Sequence, residues 1–203
     1  MSRDGTRPGL AVLISGGGRT LLNLVEAIDE GSLDAEVRLV IASKPCLGAE
    51  RARARRLPVL VVPGVIEPDV LARMLADHSA QWMVLAGYVK YLKIPNGFAE
   101  RAINIHPSLL PAFGGRGMYG ERVHRAVIDA GCKISGCTVH LVDSEFDHGP
   151  IVAQRACEVR DDDTPESLGA RVFELERALY PWAISKLISG AVSIEGPRTR
   201  IIV

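Results

Sequence analysis

The strongest constraint on this chain is an alternation. Short, continuous apolar runs rich in β-branched residues recur through the first half, with helix-forming stretches between them. The runs are GLAVLIS (9–15), EVRLVIAS (36–43), PVLVV (58–62), QWMVLAG (81–87) and RAINIH (101–106). A strand that is apolar at nearly every position must be covered on both faces, as it is in a parallel sheet crossed by helices. The intervening segments suit that role. TLLNLVEAIDEG starts at Thr20 as a helix cap and stops at Gly31, while CLGAERARARRL and EPDVLARMLADHS join helical spacing to strong helix formers. The arginines of RARARR (51–56) read as the solvated face of their helix. The expectation is an α/β fold with a doubly wound, mostly parallel sheet and helices on both faces.

After residue 130 the pattern changes. ISGCTVHLVDSE (134–145) and GPIVAQRACEVR (149–160) read as two long strands joined by a short connection, an antiparallel C-terminal extension of the sheet. The segment 164–190 then opens with Thr164 as cap, Pro165 at the first helical position and Glu166 in the first turn, where its charge suits the helix dipole. Ser167 stands where a capping box wants Glu or Gln, so only the simple cap is expected. Pro181 is a possible bend, and TRIIV at the end can add a strand.

With 203 residues, 47% of them hydrophobic, the chain can bury one substantial core, and residues 1–203 are expected to form a single domain. Twenty-four basic residues balance 24 acidic ones, so no overall positive field favours nucleic acid or an anionic membrane. Small molecules become the expected partners. No apolar run reaches the roughly 20 residues that span a bilayer, and MSRDGTRPG has no signal-peptide character, so a cytoplasmic protein is expected. Cys46, Cys132, Cys137 and Cys157 form no C-x-x-C pair and the histidines have no zinc spacing, so the cysteines are read as buried free thiols and no metal is expected.

Three stretches carry polar residues at strand ends. SGGGRTLLNL (15–24) puts three glycines and a helix start at the carboxyl end of the first strand, where backbone N–H groups and the helix dipole suit a phosphate. The alternative is a tight turn with no ligand. The dinucleotide fingerprint fails because Leu21 stands where a glycine is needed and IASKP supplies no acid after the second strand. The P-loop spacing is also absent, so a monophosphate ester fits best. A second glycine-rich stretch, GGRGMYG (114–120), follows no strand and reads as a mobile surface loop.

In INIHPSLLP (103–111), strand periodicity sends Asn104 and His106 to one face and Ile103 and Ile105 to the other. Pro107 biases His106 towards extended backbone, which places the histidine where the strand leaves the sheet. Alone, such a histidine is as compatible with a structural role. Its context is VDSEFDHGPI (142–151), whose acids cluster before a new strand. Asp147, held by Gly149 and Pro150, is the candidate partner, since a carboxylate beside imidazole orients it and favours its charged form. A solvated turn is the other reading.

The combination of NIHPSLLP, VDSEFDHGPI and ISGGGRT resembles the folate-dependent formyltransferases and, within them, the phosphoribosylglycinamide formyltransferase family of purine synthesis. The resemblance spans roughly residues 9 to 190 and implies formyl transfer from 10-formyltetrahydrofolate, without a metal, to the amine of phosphoribosylglycinamide. It puts Asn104, His106 and Asp147 at the catalytic positions: the first two stabilise the oxyanion, and Asp147 maintains the imidazolium. It puts Gly16, Gly17, Gly18, Arg19 and Thr20 at the substrate phosphate, and Glu176, otherwise an ordinary helix residue, against the glycinamide substrate. Val89, Lys90, Tyr91, Leu92, Asn104, Asp143 and Phe146 fall in the folate site. The chain departs from the family pattern in its loop, where GGGRT replaces G-x-G-S-N. It also lacks, near Gly64, the arginine associated with the folate glutamate tail. Those departures keep two alternatives in view: formyl transfer to another phosphorylated amine, and a non-catalytic phosphate-ligand binding paralogue.

Overall fold

The apolar runs become strands in the order in which they occur. A computed structural model describes residues 7–202; the opening residues of the segment read for a signal peptide, and Val203 of the stretch expected to add a terminal strand, lie outside the described residues. The elements are β1 (Gly9–Ile14), α1 (Arg19–Asp29), β2 (Glu36–Ala42), α2 (Leu47–Ala54), β3 (Val59–Val61), α3 (Pro68–Asp77), β4 (Trp82–Leu85) and β5 (Ala102–His106). They continue with α4 (Glu121–Asp129), β6 (Ile134–Leu141), β7 (Ile151–Glu158), α5 (Pro165–Ile188), β8 (Val192–Glu195) and β9 (Arg198–Ile201).

All the described strands join one nine-stranded sheet in the order β3-β2-β1-β4-β5-β6-β7-β9-β8. Strands β1 to β5 are parallel, and β6 and β7 add antiparallel as expected. The expected terminal strand is β9, which runs parallel to β7 and carries β8 as an antiparallel partner that the sequence reading did not include.

Because β2 and β3 lie on one side of β1 while β4 and β5 lie on the other, the connecting helices cover opposite faces. One core packs Leu21, Leu24 and Val25 of α1, Ala49 and Ala52 of α2, and the apolar stripe of α5 against Leu10, Val12 and Ile14. The other packs Leu71 and Leu75 of α3 against Ala11, Leu13, Leu39 and Ile41. Adjacent strands whose connections leave to opposite faces open a crevice at their carboxyl ends. Here that crevice lies between β1 and β4, beside β5.

Two helix starts differ from expectation. Gly18, not Thr20, is the N-cap of α1, so Thr20 lies inside the first turn. Gly18 has φ +75°, and a Cβ there would stand 2.7 Å from Gly48 Cα, so the turn needs glycine for both conformation and space. At α5 a reciprocal box does form. Thr164 Oγ1 accepts from Ser167 N at 3.2 Å, and Ser167 Oγ accepts from Thr164 N at 3.0 Å while donating to Asp163 Oδ1 at 2.6 Å. A serine thus does the work expected of Glu or Gln because Asp163 fixes its hydroxyl. The cysteines are unpaired, but only Cys137 is buried; Cys46, Cys132 and Cys157 are partly exposed.

Candidate functional site

β5 ends at the crevice, and its exit is clamped. Thr138 of β6 donates to Ser108 O at 2.7 Å and accepts from Leu110 N at 3.0 Å, while Gln154 of β7 donates to Leu110 O at 3.0 Å. The segment after His106 is therefore tied to the neighbouring strands rather than left as a flexible turn. Asn104 and His106 face the same side of the sheet, opposite Ile103 and Ile105 of the α1/α5 core.

Both side chains meet Asp147, which is held with φ +53° on the connection between β6 and β7. His106 Nδ1 lies 3.4 Å from Asp147 Oδ2, and Gly115 N donates to that oxygen at 2.9 Å. Asn104 Nδ2 lies 3.3 Å from Asp147 Oδ1 and 3.0 Å from His140 Nε2. The atom of Asn104 that faces a carboxylate must be its nitrogen. His140 Nδ1 faces the Leu141 carbonyl at 2.8 Å and so carries a proton, which leaves Nε2 to accept from Asn104. Burial pushes the Asp147 carboxyl up, but hydrogen bonds from the histidine side and from Gly115 outweigh it and hold the group well below the usual carboxylate range.

His106 is 3% exposed, and its Nε2 donates to the Phe113 carbonyl at 2.9 Å. Both ring nitrogens thus face acceptors, a carboxylate and a carbonyl.

A cavity of about 230 Å³ opens beside these groups, lined among others by Asn104, His106, Asp147, Arg19, Thr20, Val89, Phe173 and Glu176. Gly115, Gly117, Met118, Tyr119 and Gly120 form another part of its wall. This corrects the surface-loop reading of 114–120: the glycine-rich segment folds over the reacting groups, and Gly115 binds Asp147 directly. His124 of α4 also lines the cavity; it is 7% exposed, and its Nδ1 has no partner among the described residues. Burial, with the nearby His106 and Arg19 charges, lowers its pKa and favours the neutral ring.

The opposite wall comes from α5. Gly169, Phe173, Glu176 and Tyr180 recur at helical spacing and share one face. Gly169 leaves room for His124, since a Cβ there would lie 2.9 Å from His124 Cδ2. Tyr180 is fully buried and donates to Leu85 O at 2.8 Å and Ile103 O at 3.0 Å, which registers α5 against β4 and β5. Glu176 therefore sits at a set height in the cavity wall. Burial raises its carboxyl to about 7, against the opposing pull of the Arg19 and His106 charges.

The glycine loop is held from behind. Gly16 O accepts from Gly48 N at 2.9 Å, and Arg51 donates to Gly17 O at 2.7 Å. Arg51 is thus a strut for the loop, a correction to its reading as part of a solvated face. Arg19 and Thr20 reach the cavity wall, whereas Gly16, Gly17 and Gly18 shape the turn without lining it. Ser15 Oγ accepts from Ser43 Oγ at 2.7 Å and from Val89 N at 3.1 Å, joining the ends of β1, β2 and β4.

A side cleft of about 50 Å³ continues from the cavity past Asn104 and Asp147. Lys90, Tyr91, Leu92, Asp143 and Phe146 line it, together with His140 and Tyr88. Leu92 is buried, and Tyr91 and Phe146 form a tilted ring pair with centroids 5.6 Å apart at its mouth. Three larger hollows, of about 560, 620 and 470 Å³, lie at the amino ends of β1 to β3, between α1 and α5, and beside the segment 94–100, away from His106, His124 and His140. Among the described residues no group of His, Cys, Asp and Glu is arranged to hold a metal, and no helix is long and apolar enough to cross a membrane.

Sequence reasoning missed His140, His124, Phe173 and Gly115. A signal for His140 existed: the T-V-H of β6 alternates like the N-I-H of β5, and antiparallel pairing sets Asn104 opposite His140 and His106 opposite Thr138.

This geometry has counterparts among known proteins. The sequence pattern described as formyl transferase matches residues 9–184. The chain is 41% identical over 189 residues to phosphoribosylglycinamide formyltransferase, chloroplastic, of Arabidopsis thaliana, covering 88% of this chain and 65% of that protein. With the protein of the same name from Vigna unguiculata it shares 40% identity over 190 residues, covering 89% of this chain and 61% of the other. The chain thus spans less than two thirds of the length of these two curated relatives. The crystal structure of glycinamide ribonucleotide transformylase 1 from Symbiobacterium toebii superposes with a TM-score of 0.89 at 36% identity, covering 98% of this chain and 96% of that one. Fold, site and sequence agree: the chain belongs to the formyl transferase family.

Proposed function

We propose that this protein transfers a formyl group from 10-formyltetrahydrofolate to the amine of phosphoribosylglycinamide. One observation carries the reading: Asn104, His106 and Asp147 open onto the same cavity as Arg19, Thr20 and Glu176. Such a cavity offers proton-handling groups at one end and anion-binding groups at the other, as a phosphorylated amine requires. The names of the plant relatives and the bacterial structure support the choice of acceptor.

The folate supplies the formyl group. In the side cleft, Leu92 and the Tyr91–Phe146 pair provide apolar walls for a pterin, with Asp143 as a polar contact, while Val89, on the main cavity, and Lys90, on the cleft, lie in the segment that follows β4. The cleft is narrow in this state, so Tyr91 and Phe146 must part to admit it. His106 then exchanges the Phe113 carbonyl for the substrate side, and Asn104 turns one N–H from Asp147 towards the developing oxyanion. Donors so placed contribute ~100 to 1000-fold each. The acceptor amine attacks the formyl carbon and forms the new C–N bond; as the bond to the folate nitrogen breaks, His106 passes a proton to that nitrogen and the proton lost by the amine returns to the ring, which Asp147 orients and stabilises. Glu176 and Thr20 hold the acceptor.

We further propose that residues 1–203 act as one formyltransferase domain on small molecules in the cytoplasm. The single sheet shared by both halves supports the first point; fractionation of cells tests the second, with recovery in an organelle overturning it. An absorbance assay of 10-formyltetrahydrofolate with phosphoribosylglycinamide tests the activity: turnover is expected, and its absence removes this acceptor. Arg19 favours one second reading, formyl transfer to another phosphorylated amine, which the same assay with other amines detects.

A further inference from the structure

Three strands set polar residues in a row across the sheet. Register puts His106 of β5 opposite Thr138 of β6, and Thr138 opposite Gln154 of β7. Residues directly opposite in an antiparallel ladder share a face, so the three project to one side. Of these only His106 lines the cavity; Thr138 and Gln154 border neither it nor the side cleft. In the neighbouring row Asn104 meets its register partner His140 directly, whereas Thr138 takes hold of the chain that follows His106.

That chain is a closed excursion. It leaves β5 at His106 and returns seven residues later, when the Phe113 carbonyl meets His106 Nε2, and Gly115 N then reaches Asp147. One amide grips its middle. Gln154 Nε2 donates to Leu110 O at 3.0 Å and to Thr138 Oγ1 at 2.9 Å, so both N–H groups of the amide are used. The Thr138 hydroxyl accepts from Gln154 and from Leu110 N and donates to Ser108 O, which exhausts its capacity. Ser108 Oγ donates to Ala112 O at 2.6 Å and carries the restraint on towards Phe113. Ser108 and Thr138 are fully buried and Leu110 is 6% exposed, so solvent cannot replace a donor lost from this network.

We propose that Gln154 is a positioning residue for His106, acting from two strands away: its amide fixes Leu110 and Thr138, and through them the chain that leaves and returns to the imidazole. The proposal rests on the formyl-transfer reading for what His106 does, but not for what holds it. When substrate displaces the Phe113 carbonyl, the contacts of Leu110 with Thr138 and Gln154 keep the exit of β5, and with it the ring, in place.

Steady-state kinetics of the full chain test it. Gln154→Met keeps the volume and removes the donors; kcat falls ~10 to 100-fold, the cost of a small misplacement of a reacting group, while the KM of each substrate stays as in the parent. Gln154→Glu keeps the shape but has no N–H to give while ionised. It is as slow as Gln154→Met at pH 8 and recovers relative to the parent as pH falls and its carboxyl is protonated. His106, His140 and Asp147 titrate in both proteins, so the ratio to the parent isolates residue 154. Thr138→Val breaks the same link, and the double variant Thr138→Val/Gln154→Met is no slower than the slower single variant, because both act on Leu110. An unchanged kcat, a loss confined to one KM, a Glu variant level with the Met variant at every pH, or additive losses each overturn the proposal. So does a kcat loss that only follows the folded fraction measured by circular dichroism. The ring NMR signals of His106, identified by their absence in His106→Ala, separate this proposal from the formyl-transfer reading. In Gln154→Met they shift whether or not phosphoribosylglycinamide is formylated; unmoved signals refute the positioning role even in an active enzyme.

Discussion

The two ends of the central cavity are built on different terms. At the β5 end the described polar contacts are protein to protein: His106 lies between Asp147 and the Phe113 carbonyl, and Asn104 between Asp147 and His140. At the α1 end the donors face open space, with Arg19 resting on a ring and the first turn of the helix lacking a side-chain cap. The reacting end must exchange partners when substrate arrives, while the anion end is already set. Binding and chemistry should therefore respond separately to substitution.

The largest expected effect is at His106. His106→Ala should lower kcat ~100 to 10,000-fold, the usual contribution of a positioned acid or base, while ribose 5-phosphate still raises the Tm. Undiminished turnover would remove the reacting end from the comparison. Next comes Asp147→Asn, which should lower kcat ~10 to 1000-fold and displace the pH-rate profile through the loss of the carboxylate beside His106. Stability carries a signature of its own. The native Asp147 carboxyl is held low, so its contribution is complete above the ordinary value of 3.8 and is lost as pH falls below it. The Tm gap between parent and Asn variant should be present at neutral pH and close only in strong acid.

Glu176 has the opposite sign. Its carboxyl is raised from 4.5 to about 7, so the folded state is favoured below 4.5 and loses that advantage as pH rises through 7. Glu176→Gln should gain ~1 to 3 kcal/mol over the parent at pH 8 and almost nothing at pH 4, read by denaturant melts. A pH-independent difference would show that the side chain is solvated. The smallest effect is a control outside both ends: Thr164→Ala removes half of the capping box and should cost ~0.5 to 2 kcal/mol without altering either KM. A changed KM would mean that the start of α5 feeds into the cavity wall.

Legibility in the sequence followed the range of the contacts. The strands of the first half were readable because burial on two faces forces continuous apolar runs, and Asn104 with His106 because a strand alternates every second residue. Asp147 could be nominated from its acidic cluster. His140 is 36 residues from Asn104 and Gly115 is 32 from Asp147; the alternation in β6 marked a face for His140, but only the pairing of β6 with β5 set it against Asn104, and no local pattern announces the Gly115 contact. Arg51 illustrates the same limit. Its helical context suggested solvent, yet it props Gly17 from a helix 34 residues away.

By itself the sequence determined that five parallel strands end near one another and that a glycine turn and an N-x-H pair lie at those ends, because periodicity and burial are local properties of the chain. Only the tertiary structure decided how the donors there are engaged. Antiparallel register set His140 opposite Asn104, the fold of residues 112–120 brought the Phe113 carbonyl to His106, and the height of α5 put Phe173 under Arg19. A hydrogen bond or a ring stack requires placement to within a few tenths of an ångström. That placement comes from packing between distant segments, which no short stretch of residues encodes.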